Sequence, residues 1–142
     1  MSGRRRALPL LSDAFFYGYT GTCVVAGATG AAFANLDLAL VSGFRPHEQL
    51  PGRAAATVLS QHRFLRAIEM GFGVYSLRQR EAIHRDPATN RVFLSLMASG
   101  IAARALARAV DGRPRVNAYV FGGSELVGLA LIFAHTRSTL QR

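Results

Sequence analysis

Residues 14–36 carry no charged side chain, and a run of that length spans a hydrocarbon core, which needs roughly 20 residues. Three further stretches, 57–77, 91–110 and 116–136, are also long enough to span but are interrupted by ionisable groups; 57–77 is the weakest by hydropathy and resembles a soluble helix with a polar side. Arg63, Arg66 and Glu69 fall in the second, Arg104 in the third and Glu125 in the fourth. In water such residues would be unremarkable. In a bilayer each is costly, with arginine or aspartate at a span centre costing about 2.5–3.5 kcal/mol on insertion scales, so each calls for a partner. The pattern predicts an all-α protein: a four-transmembrane-helix bundle forming a single membrane domain over 1–142, with a polar cluster inside it.

Charge supports this reading and fixes an orientation. The formal net charge is +9, and all 17 basic residues are arginine. A balance this basic suits nucleic acid, anionic lipid or the charge asymmetry of membrane topology. Four spans place Arg4, Arg5, Arg6, Arg78, Arg80, Arg85, Arg91, Arg137 and Arg142 on one side. Arg45, Arg53, Arg113 and Arg115 fall on the other. The positive-inside rule then puts both termini in the cytoplasm of a multi-pass inner-membrane protein. Phe15, Phe16, Tyr17, Tyr75, Phe93, Tyr119 and Phe121 sit near the expected interfaces, where aromatic belts form. A secretory signal is the rival for the first span, with Ala32-Phe33-Ala34 resembling a cleavage site. The apolar run exceeds the usual 7–15 residues of such signals, which favours a retained helix.

Small residues suggest where helices approach. Gly18, Thr22, Ala26, Gly30 and Ala34 recur every fourth position, and so do Ser95, Ser99, Ala103 and Ala107. Each series is expected to form a smooth packing stripe. Residues 35–56, with Pro46 and Pro51, read as a connecting loop, whose beginning, 36–41, either extends the first helix or lies on the surface. Residues 78–90 read as a basic connector in which Pro87 stops a helix. Asp111-Gly112-Arg113-Pro114 reads as a turn.

The interrupting charges share faces and depths. His62, Arg63, Arg66 and Glu69 fall within roughly 120° of helical arc, and Arg66 with Glu69 is an i, i+3 pair. Counted at 1.5 Å per residue, Arg66, Glu69, Arg104 and Glu125 lie roughly 9–18 Å deep. Arg63, Arg66, Glu69, Arg104 and Glu125 are therefore expected to form one interhelical cluster. It acts either as a clasp between helices or as a pocket whose surplus arginine receives an anion. Arg108 is close enough to the interface to snorkel.

Nothing points to catalysis. Gly122-Gly123-Ser124 lacks the G-x-S-x-G elbow, and Gly71-x-Gly73 is too short for a phosphate loop. The single cysteine, Cys23, reads as a small core residue. No two histidines have metal-site spacing, and His62 and His135 read as polar residues at helix ends. No catalytic residue, metal or cofactor is expected. The partners expected are the lipid bilayer and either another membrane protein or an anionic small molecule, with no nucleic acid.

One resemblance covers most of the chain. His62-Arg63-Phe64 leading to Gly71-x-Gly73, then Arg104, Gly112-x-Pro114 and Ser124-Glu125, resembles a family of small bacterial four-helix integral membrane proteins classed as a domain of unknown function. The resemblance implies four transmembrane helices and supplies no activity. The expected role is a non-catalytic binding or accessory protein. The alternatives are a small transporter or carrier for an anionic or amphiphilic molecule, and a soluble basic helical protein that binds nucleic acid.

Overall fold

The computed structural model describes residues 2–114 and 116–140, with side chains from 7 to 114 and 116 to 139. Arg115, Arg142 and the side chains of Arg4, Arg5 and Arg6, which entered the charge count, lie outside the described residues. The chain is all-α, and no strand occurs among the described residues. Its helices are α1 (Ser2–Ala32), α2 (Ala34–Ser42), α3 (Pro46–Gln49), α4 (Gly52–Arg78), α5 (Arg80–Arg85), α6 (Pro87–Val110) and α7 (Val116–Leu140). They form two compact units, Tyr19–Leu77 and Met1–Gly18 with Arg78–Arg142.

In the unit Tyr19–Leu77, the first helix stops earlier than the apolar run does. The axes of α1 and α2 differ by 119°, and the break falls at Phe33 (φ −114°, ψ 46°). No proline or glycine marks it. The Thr29 hydroxyl donates to the Val25 carbonyl one turn back, a bond that competes with the helix ladder and favours bending. The loop expected over 35–56 is instead largely helical, comprising α2 and α3. Gly43, at φ 71°, closes α2 in the left-handed conformation that glycine adopts without strain.

The face that α1 presents to α4 is not the fourfold stripe. A Cβ on Gly27 would meet the Met70 backbone nitrogen at 2.5 Å and the Arg66 carbonyl at 2.7 Å, and one on Gly73 would meet the Thr20 carbonyl at 2.7 Å. Thr20, Cys23 and Ala34 are buried along the same side. A Cβ on Gly18 would meet nothing within 4 Å. A strict fourfold repeat drifts about 40° per step on a helix of 3.6 residues per turn. Contact over several turns therefore follows mixed threes and fours, here 20, 23, 27, 30 and 34.

In the other unit, Asp86 starts α6. Its carboxylate accepts from the Thr89 amide at 2.8 Å and the Thr89 hydroxyl at 2.6 Å. These bonds, the hydroxyl's foremost, hold the carboxyl below its usual range. Pro87 takes the first position of the helix, where its missing N–H costs nothing. So Pro87 begins a helix as well as following one. The buried line of α6 is Asn90, Phe93 and Met97, at i, i+3 and i+7. Ser95, Ser99, Ala103 and Ala107 stay exposed. Asn90 donates to the Ile83 carbonyl at 2.8 Å and the Thr136 hydroxyl at 3.0 Å, tying α5, α6 and α7 together. Phe16 and Phe93 belong to this core, with rings 5.6 Å apart; they are not interfacial. Phe15 lies where a side chain on Gly128 would project. Gly112, at φ 95°, makes the turn between α6 and α7.

Apolar side chains face outward on several helices. Leu96, Leu106 and Val110 on α6, and Val120, Leu126 and Val127 on α7, are each about half exposed or more. Helices α6 (Pro87–Val110) and α7 (Val116–Thr139) are long and apolar enough to cross a membrane, although only 11% of each apolar window is buried. The bent pair of α1 and α2 makes a third candidate span. At 27 residues, α4 is long enough to cross, but its charges keep it below the hydropathy of the others.

Candidate functional site

Three sets of polar side chains sit among these apolar helices. The first belongs to the unit Tyr19–Leu77 and centres on Asp37. This residue lies in the first turn of α2, where the helix dipole favours a carboxylate. Its Oδ2 accepts from Arg66 Nε at 2.8 Å and lies 2.6 Å from His62 Nε2. Arg66 also donates through Nη1 to Glu69 Oε2 at 2.6 Å. The side chains of His62, Asp37 and Arg66 are 15%, 18% and 17% exposed. The stem of Arg66 passes close over Gly30, so the lack of a side chain there makes room for the guanidinium.

Arg66 is therefore held by two carboxylates, one from its own helix and one from across the bend. Asp37 was not among the expected site residues. Arg63 is exposed and takes no part in this network. The arginine surplus that suggested an anion pocket disappears here once Asp37 is counted.

The second set joins α6 to α7. Arg104 donates through Nε to Glu125 Oε2 at 3.0 Å and through Nη2 to Oε1 at 3.2 Å, a two-pronged pair. The Glu125 side chain is 11% exposed and that of Arg104 46%. The arginine stem passes Gly122, one turn before Glu125, where an added Cβ would meet Arg104 Cδ at an ordinary 3.5 Å. Water or headgroups screen the exposed guanidinium, so a double-mutant cycle with Arg104→Gln and Glu125→Gln is expected to give a coupling of only about 1 kcal/mol. Unfolding in detergent measures it, and a coupling near zero would show that the pair holds nothing.

The third set is Asp13 on α1, Arg80 and His84 on α5, and His135 on α7. Arg80 Nη2 donates to Asp13 Oδ2 at 2.9 Å, and its guanidinium lies 5.1 Å from the Tyr17 ring centre. His84 Nδ1 lies 2.9 Å from the Arg80 carbonyl. This bond places the proton on Nδ1 and leaves the Nε2 lone pair available. Nε2 is 3.7 Å from Asp13 Oδ1, too far for a hydrogen bond. The His84 and His135 rings are 5.1 Å apart, and Phe16 closes over His84 at 5.3 Å. Asp13, His84 and His135 are far apart in sequence, and no local spacing joins them.

Four of the five expected site residues thus fall into pairs, one in each unit, and Arg63 stays outside them. Arg66 and Glu69 meet, and so do Arg104 and Glu125. Sequence reasoning passed over Asp37 and Asp13, both read only as limits of the uncharged run. An acidic residue bordering a span was the available signal.

No curated protein and no solved structure matches the chain. A family model described as "Domain of unknown function (DUF4345)" matches residues 18–135, which takes in all of α2 to α6, the second half of α1 and most of α7. The chain belongs to the DUF4345 family, whose function is not known.

Proposed function

We propose that this chain is an inner-membrane protein with four spans, carried by α1, α4, α6 and α7, and with both termini in the cytoplasm. It serves as a non-catalytic binding or accessory protein. The observation that carries the reading is the inversion of α4, the least apolar of the four helices. Its His62 and Arg66 are turned inward and bonded, while Phe64, Leu65 and Ile68 are 61%, 61% and 53% exposed. A water-soluble helix turns the opposite face outward. Outward apolar side chains around an inward polar set suit a lipid surround, where charges face the bundle interior and pair. Arg63 lies six residues inside the end of the span at Thr57, about 9 Å at 1.5 Å per residue, and reaches the headgroups by snorkelling.

The accessory role is favoured over carriage of an anion because Arg66 and Arg104 are already engaged by carboxylates of the chain. Washing membranes at alkaline pH tests the membrane assignment. Retention in the pellet is expected, and release into the supernatant would favour the soluble, nucleic-acid-binding alternative. Copurification from native membranes in mild detergent tests the role. The expected result is a membrane protein held in fixed stoichiometry, and an anionic metabolite retained in its place would favour a carrier.

A further inference from the structure

The structure assigns Asp13, His84 and His135 as the protein ligands of a divalent transition-metal ion. One ligand atom from each residue lies within 4.8 Å of the other two. The chemistry of these atoms is what points to a cation. Asp13 Oδ1, His84 Nε2 and His135 Nδ1 are all buried and all lack a hydrogen-bond partner. Such groups are rare unless something satisfies them. Oδ1 of a carboxylate has only lone pairs to offer. Nε2 of His84 is in the same state in the neutral ring, whose one proton the Arg80 carbonyl holds on Nδ1, and His135 Nδ1 offers a lone pair when its ring carries the proton on Nε2. Lone pairs brought together without a donor repel one another, and a cation satisfies all of them at once.

The surroundings match those of a metal site. A histidine ligand ordinarily donates its second N–H to a carbonyl or carboxylate, which fixes the ring and raises its basicity. The Arg80 carbonyl does this for His84. The Arg80 guanidinium holds Asp13 Oδ2, which leaves Oδ1 as a one-toothed ligand. Fully buried Phe16 packs on the His84 ring and supplies an apolar wall.

Tetrahedral zinc with bonds of about 2.0–2.1 Å sets its ligand atoms about 3.4 Å apart. The 3.7 Å separation of His84 Nε2 from Asp13 Oδ1 is close to this. The other spacings, at most 4.8 Å, close by up to about 1.4 Å on binding to reach tetrahedral distances, through side-chain rotation. Two imidazoles and one carboxylate suit zinc, iron(II) or cobalt(II) over calcium or magnesium, and they leave at least one position open for water or an exogenous ligand. The neighbouring Arg80 charge opposes a cation, but its buried Nε–H has no acceptor and can donate to an anionic ligand in that open position.

The test uses the full chain purified in detergent and stripped with a chelator. Calorimetry with zinc chloride is expected to show one ion per chain, and cobalt(II) to give the visible bands of a low-coordinate site. Asp13→Asn, His84→Gln and His135→Gln are each expected to weaken zinc binding more than about tenfold, with helical circular dichroism retained. His47→Gln, at an exposed histidine in α3, is expected to leave binding unchanged. X-ray absorption of the zinc-loaded wild-type chain reads the ligands without any variant, and two imidazoles per zinc are expected. A folded chain that takes up no zinc, or zinc without imidazole in its shell, overturns the assignment. These readouts stand whether or not the four-span topology holds.

Discussion

Replacing Asp37 with alanine is expected to destabilise the chain by about 3 kcal/mol, the most of any single ion-pair truncation. Removing one member of a buried pair costs about 3–5 kcal/mol, because the remaining charge stays desolvated without its partner. Among the described residues, Asp37 is the only carboxylate bonded to both His62 and Arg66, and all three side chains are less than a fifth exposed. Its partners also cross the α1–α2 bend, so its loss releases α2 from α4. Glu69 offers the contrast. It holds Arg66 from one turn away on the same helix and its side chain is 34% exposed, so Glu69→Ala is expected to cost about 0.5–1 kcal/mol. Unfolding in detergent measures both. Equal effects at Asp37 and Glu69 would mean that the bend is not held by the ion pair.

A single methyl group at Gly27 is expected to cost about 3 kcal/mol, whereas the same change at Gly21 or Gly18, about 1.7 and 2.5 turns earlier, costs nothing. The added Cβ would lie 2.5 Å from the Met70 backbone nitrogen and 2.7 Å from the Arg66 carbonyl. Backbone inside a helix does not move aside as the tip of a side chain does. The two helices must separate, and overpacking of this kind costs typically 1–3 kcal/mol. A Cβ on Gly18 or Gly21 would meet nothing within 4 Å, so Gly18→Ala and Gly21→Ala are expected to be neutral or stabilising by about 0.5–1 kcal/mol through helix propensity. Thermal melting of the three alanine variants checks the sign at each position. Destabilisation at Gly18 equal to that at Gly27 would restore the fourfold stripe as the packing face.

The parts of this arrangement that were legible in the sequence are the local ones. Arg66 and Glu69 are three residues apart on a helix, and Arg104 and Glu125 sit on helices joined by a turn whose glycine and proline announce it. Asp37 was hidden because the bend at Phe33 carries no breaker residue. The helix ends four residues before the uncharged run does, at a bend helped by the Thr29 hydroxyl and bridged by the ion pair of Asp37 with α4. The contact face of α1 was hidden by drift, since Gly27 belongs to the packing line only when steps of three and four alternate. The Asp13, His84 and His135 set was hidden by topology. It takes one residue from each of three helices, and only the folded chain brings α1, α5 and α7 together there. Pro87 was ambiguous by nature, because proline both follows one helix and begins the next.

The central claim is that α4 crosses the membrane as α1, α6 and α7 do, with its charges turned inward. Single cysteines introduced into a Cys23→Ser background and probed in intact cells with a membrane-impermeant maleimide test it directly. Cysteines at Gln49 and Arg113 are expected to react from outside, and those at Glu81 and Ser138 only after the cells are opened. If Gln49 and Glu81 were labelled from the same side, α4 would not span the membrane and the account would fail.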